Sequence, residues 1–88
     1  MIRDIPLQLR TFALARELNF LCGPFDDASI AETFYNGLCH ASDHYRDGVI
    51  VIVSQRIYLA CKDYPEGNTP NWDSEEYDPF AVPVFNIS

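Results

Sequence analysis

A chain of 88 residues, 48% hydrophobic and 22% charged, is long enough to bury one core, too short for two, and too apolar to read as disordered. Its formal net charge of −7 is unevenly placed: through Lys62 there are six basic and seven acidic residues, whereas Asp63 to Ser88 holds six acids and no Lys or Arg. Phosphate binding needs clustered Lys and Arg, and a membrane span needs roughly 18 consecutive apolar residues, so direct contact with nucleic acid and a membrane role both fall away.

In chain order, MIRDIPLQLR lacks the basic, apolar and small-residue succession of a secretory signal, because Asp4 and Pro6 intrude early. A cytoplasmic protein is the expectation. Residues 5–22 read as a helix, with Asp4 as its cap, Pro6 in the first turn and Gly23–Pro24 as its stop. Leu7, Leu14, Ala15, Leu18, Leu21 and Cys22 form its apolar face. A narrower strip of Leu9, Ala13 and Phe20 lies nearly opposite; a helix apolar on two sides is either sandwiched between elements or presents one side to another chain.

A second helix follows in SIAETFYNGLCHASDHYRDG, opened by Ser29 and Glu32 at capping-box spacing and closed by Gly48. Its buried stripe is expected at Ile30, Phe34, Leu38, Ala41 and Tyr45, opposite Glu32, Asn36, His40, Asp43 and Asp47.

VIVIV at 49–53 is β-branched and apolar at both parities, the pattern of a central strand covered on two faces. RIYLAC at 56–61 alternates, with Ile57, Leu59 and Cys61 on one side and Arg56, Tyr58 and Ala60 on the other. A hairpin over 49–61 turning at Ser54–Gln55 is the simplest reading, although the turn lacks Asn-Gly chemistry and a helix over 54–63 is the alternative. Pro65, Gly67, Pro70 and Pro79 then break regular structure, giving a long acidic loop over 64–80. FAVPVFNIS ends the chain with a short strand that Pro83 confines to a sheet edge. The expected fold is a single α+β domain over 1–88, two helices packed on a small, mostly antiparallel sheet.

Candidate chemistry is sparse. His40 and His44 share a helical face at i and i+4 spacing, near Cys39 and Asp43, which raises a metal- or thiol-dependent enzyme as one alternative. Ala41 stands where a metalloprotease motif needs glutamate, however, and no cofactor motif is present. Cys22, Cys39 and Cys61 are odd in number, have no redox or zinc spacing, and lie in apolar stretches, so they read as reduced thiols.

The stretch NWDSEEYDPF at 71–80 is the strongest candidate surface. On one reading Trp72, Tyr77 and Phe80 fold back to patch a small core, and Asp73, Glu75, Glu76 and Asp78 are simply solvated. On the other, Trp72 and Tyr77 anchor an interface and those four carboxylates steer a basic partner. The resulting expectation is a small acidic protein that is no enzyme and needs no cofactor. It would inhibit another macromolecule by occupying its basic, nucleic-acid-binding surface, presenting carboxylates where phosphates belong. Phage-encoded anti-defence inhibitors and nuclease immunity proteins share that size and charge as a physical type. The other alternative is a structural or oligomeric subunit using Leu9, Ala13 and Phe20.

Overall fold

In the computed structural model, which describes residues 5–41, 44–64 and 82–87, the elements run α1 (Leu7–Ala15), β1 (Phe20–Phe25), α2 (Ala28–Ala41), β2 (Tyr45–Val53), β3 (Arg56–Asp63) and β4 (Val84–Ile87). The strands form one mixed sheet in the order β1-β3-β2-β4. β3 pairs antiparallel with both β1 and β2, and β4 lies parallel to β2 on the outer edge. The expected α+β architecture, the hairpin and the carboxyl-terminal edge strand are all present.

The two central strands explain the layering. Val49, Val51 and Val53 of β2, with Tyr58 and Ala60 of β3, face Leu9 and Ala13 of α1. Leu59 and Cys61, on the other parity, face Tyr35 and Cys39 of α2. A strand pair apolar on both faces requires cover on both, and each helix supplies one side. β4 completes the α1 side: Phe85 and Ile87 join that cluster, and the Phe85 and Phe12 rings lie 5.3 Å apart with the Arg16 guanidinium over both.

The amino-terminal segment departs from expectation. Helix α1 stops at Ala15, half as far as the periodicity implied, because Glu17 takes a φ of 60°. The Glu17 amide donates to Leu14 and the Leu18 amide to Ala13, a Schellman closure with glutamate in the left-handed position that glycine usually holds. Leu18 and Ala13, which this closure brings together, are both buried. The chain then extends as β1, and the Gly23–Pro24 pair read as a helix stop is instead a bulge in that strand. Gly23 has a φ of 132°, and a Cβ there would meet the Ile57 carbonyl at 2.9 Å.

The burial of α1 is inverted as well. Leu9 and Ala13 are the core contacts, while Leu7 and Leu14 are exposed. The strip Leu9, Ala13 and Phe20 is therefore not a docking surface: its first two members are buried beneath the helix and Phe20 is half-buried on the α2 side.

Helix α2 is shorter and rotated from the expected stripe by one residue. Asp27, not Ser29, caps it: its Oδ1 accepts from the Ile30 amide at 3.0 Å and from the Ser29 hydroxyl. These hydrogen bonds, Ser29 first, hold the Asp27 carboxyl below its usual range. The buried positions are Ala31, Tyr35 and Cys39, whereas Ile30 and Phe34 face outward. Tyr45 and Gly48 belong to β2, not to the helix.

Gly48 explains the rotation. Its amide donates to the Tyr35 hydroxyl at 3.1 Å, and a Cβ would lie 2.5 Å from the Tyr35 ring. The bulge between Arg46 and Val49 thus presents bare backbone to a buried phenol. Gly48→Ala is expected to destabilise by about 1–3 kcal/mol through overpacking. Tyr35→Phe should lose a similar amount, about 1–3 kcal/mol, by stranding the buried amide. Urea unfolding of both variants checks this pair.

The β2–β3 turn has two residues, Ser54 and Gln55, with φ of 51° and 67°. Both lie in the left-handed region that a type I′ turn requires, without the residues that favour it. Replacing them with Asn-Gly should stabilise the protein by about 1 kcal/mol, read as a higher denaturant midpoint at unchanged slope.

Candidate functional site

The acidic segment leaves the sheet immediately after β3, so its point of departure is the place to look for a built surface. Three elements converge there. The α1–β1 connection brings Glu17 and Asn19, the start of β2 brings His44, Tyr45 and Asp47, and the end of β3 brings Lys62, Asp63 and Tyr64.

Asn19 is the brace. Its side-chain Oδ1 accepts from the Asp63 amide at 2.6 Å while its Nδ2 donates to the Asp63 carbonyl at 3.1 Å. One amide side chain thereby mimics a strand neighbour for the last residue of β3, extending the pairing begun where the Asn19 amide donates to the Cys61 carbonyl. On the other side, the Tyr64 amide donates to the His44 carbonyl at 2.7 Å.

The Asp63 carboxylate accepts from His44 Nδ1 at 2.7 Å, with both side chains roughly one-third exposed. The His44 ring also packs against Tyr45, centroids 4.6 Å apart. Next to this pair the β2 bulge turns Asp47, at a φ of 59°, toward β3. Asp47 Oδ2 accepts from the Tyr64 hydroxyl at 3.3 Å and lies 3.9 Å from Lys62 Nζ. Lys62 Nζ in turn sits 5.8 Å from the Tyr64 ring centroid.

Glu17, Asn19, Lys62, Asp63 and Tyr64 line an open depression of about 240 Å³. Such an opening holds a side chain or two rather than enclosing a substrate. Glu17 and Asp63 put two carboxylates in its lining beside Lys62, and Lys62 Nζ also lies near the Asp47 carboxylate.

The six residues expected to carry partner binding, Trp72, Asp73, Glu75, Glu76, Tyr77 and Asp78, lie outside the described residues. The histidine pairing fails on geometry: α2 ends at Ala41, so His40 and His44 do not share a helical face, and His44 is committed to Asp63. Asp43 lies outside the described residues. Among the described residues, no group of His, Cys, Asp and Glu is arranged to hold a metal ion.

The thiols face the interior. Cys39 is buried with its Sγ donating to the Tyr45 carbonyl at 3.6 Å. Burial pushes the Cys22 thiol up to about 11 and the Cys61 thiol higher still. A thiol held protonated in this way is a poor nucleophile.

Asn19, Asp47, Lys62 and Tyr64 were not anticipated as a cluster. Asn19 sat within an expected helix, and nothing local in the sequence marks it as the partner of a residue 44 positions away. No protein-family model, no curated protein and no solved structure matches this chain. Among the described residues, no helix is long and apolar enough to cross a membrane.

Asn19→Ala removes both hydrogen bonds to Asp63. The expected loss is about 1 kcal/mol of stability, since two partly exposed bonds are exchanged for water. Amide exchange at Asp63 should accelerate by about tenfold while the buried amides of β2 and β3 stay slow. Hydrogen exchange read by NMR tests this directly.

Proposed function

We propose that this protein is a small acidic binding module that occupies a basic, nucleic-acid-binding surface of another macromolecule and so inhibits it. Asp73, Glu75, Glu76 and Asp78 supply the charge that draws the two surfaces together, and Trp72 and Tyr77 supply the contact area that holds them. The carboxylates take the place of phosphates against the partner's Lys and Arg side chains.

The observation that carries this reading is the placement of charge: six acids and no Lys or Arg after Lys62, on a chain otherwise close to neutral. Two structural facts support it. The segment has both ends tied to one strand, because Tyr64 bonds to His44 and the Pro83 carbonyl accepts from the Ile50 amide at 3.0 Å. A loop held at both ends loses less freedom on docking than a free tail. The carboxylates of Glu17, Asp47 and Asp63 near the end of β3 add negative potential of the same sign, with Lys62 among them.

The test is capture from a native lysate at low and moderate salt, followed by competition with duplex DNA. A charge-driven complex should form at low salt, weaken steeply as salt rises, and be displaced by the DNA. Glu75→Lys combined with Glu76→Lys should abolish capture while leaving the unfolding midpoint within about 0.5 kcal/mol of wild type, as expected for surface substitutions. Capture that is indifferent to salt and to the double reversal rejects the reading.

A further inference from the structure

Both helices leave large apolar side chains on the outside. On α1, Leu7 and Leu14 are 74% and 79% exposed, two turns apart on the face turned away from the sheet. On α2, Ile30 and Phe34 are 46% and 40% exposed, one turn apart. Exposed apolar side chains grouped in pairs on one helix face offer a small surface that a partner can cover.

The charges around the two patches have opposite signs. Exposed Arg10 stands between Leu7 and Leu14, and Arg16 follows; with the single acid Glu17 just past Leu14, the charge over residues 5–17 is a net +1. Exposed Asp26 and Asp27 lead into Ile30, with the Asp27 carboxylate bonded to the Ile30 amide, and no Lys or Arg occurs between Arg16 and Arg46. The helices cover opposite faces of the sheet, so one molecule cannot bring its own two patches together. A second copy carries both.

We propose that the Leu7–Arg10–Leu14 face of one copy binds the Asp27–Ile30–Phe34 face of another, head to tail. Like-with-like pairing is disfavoured because it opposes arginine to arginine or carboxylate to carboxylate. The head-to-tail contact leaves one unmatched face at each end of any assembly, so it grows without closing at a dimer.

The experiment is analytical ultracentrifugation of the full chain from about 10 μM to about 1 mM, the range suited to so small an interface. The weight-average mass should climb past that of a dimer with no plateau, and added salt should lower it. Leu14→Glu, which spoils only the α1 face, and Ile30→Lys, which spoils only the α2 face, should each remain monomeric. An equimolar mixture of the two should form a one-to-one dimer and stop there, because it joins the single intact face of each.

Both substitutions are at exposed positions, and circular dichroism with thermal unfolding confirms that each variant is folded. A wild type that is monomeric throughout overturns the proposal, as does a plateau at dimer. Continued association of Ile30→Lys alone overturns it by showing that α1 faces pair with each other. A monomer that instead co-sediments with anionic lipid vesicles through the α1 face also overturns it.

Discussion

Everything in this fold follows from a hairpin that has no outside. Val49, Val51 and Val53 point one way and Leu59 and Cys61 the other, and each of these side chains is sealed from water. Each buried aliphatic residue of this size contributes on the order of 1.5–3 kcal/mol, so covering only one face would forfeit a large share of the available stability. The chain must therefore place one helix on each side. With 88 residues to do so, the helices are short, and the segment ahead of α2 supplies both a helix and an edge strand.

That requirement shows why part of the sequence was readable. VIVIV and RIYLAC are dense in β-branched and apolar residues at both parities, a pattern with one structural solution, and strand, hairpin and turn all appear where the residues place them. The amino-terminal segment was opaque because its terminator is a glutamate in a left-handed conformation, a feature visible only in dihedral angles. Leu18, Leu21 and Cys22 continue the helical spacing of the preceding leucines by coincidence, and strand β1 uses them at a different period. Helix α2 was found but turned by one position, since burial of Tyr35 is decided by Gly48, thirteen residues away, and not by hydrophobicity. The cluster at the base of the acidic segment was illegible for the same reason: Asn19 meets Asp63 only once the sheet exists.

Charge and geometry divide the surface into separate regions. At the end of β3 and the start of β2, the bulge brings Asp47 to Lys62 and Tyr64, while Asp63 pairs with His44. The outer helix faces carry exposed Leu7 and Leu14 on α1 and Ile30 and Phe34 on α2, with arginine beside the first pair and aspartate beside the second. The proposed electrostatic capture and the proposed stacking of copies draw on different residues of this chain.

The parallel pairing of β4 with β2 carries a kinetic consequence. The β2–β3 hairpin pairs residues from Val53 with Arg56 outward, whereas β4 joins β2 across 34 residues (Ile50 with Val84) and β1 joins β3 across 32 to 41 (Phe25 with Ile57, Phe20 with Cys61), so both outer strands close at a greater entropic cost than the hairpin. Once joined, the final strand is held by Phe85 against Phe12 under the Arg16 guanidinium, so the seam between α1 and the edge of the sheet rests on that stack.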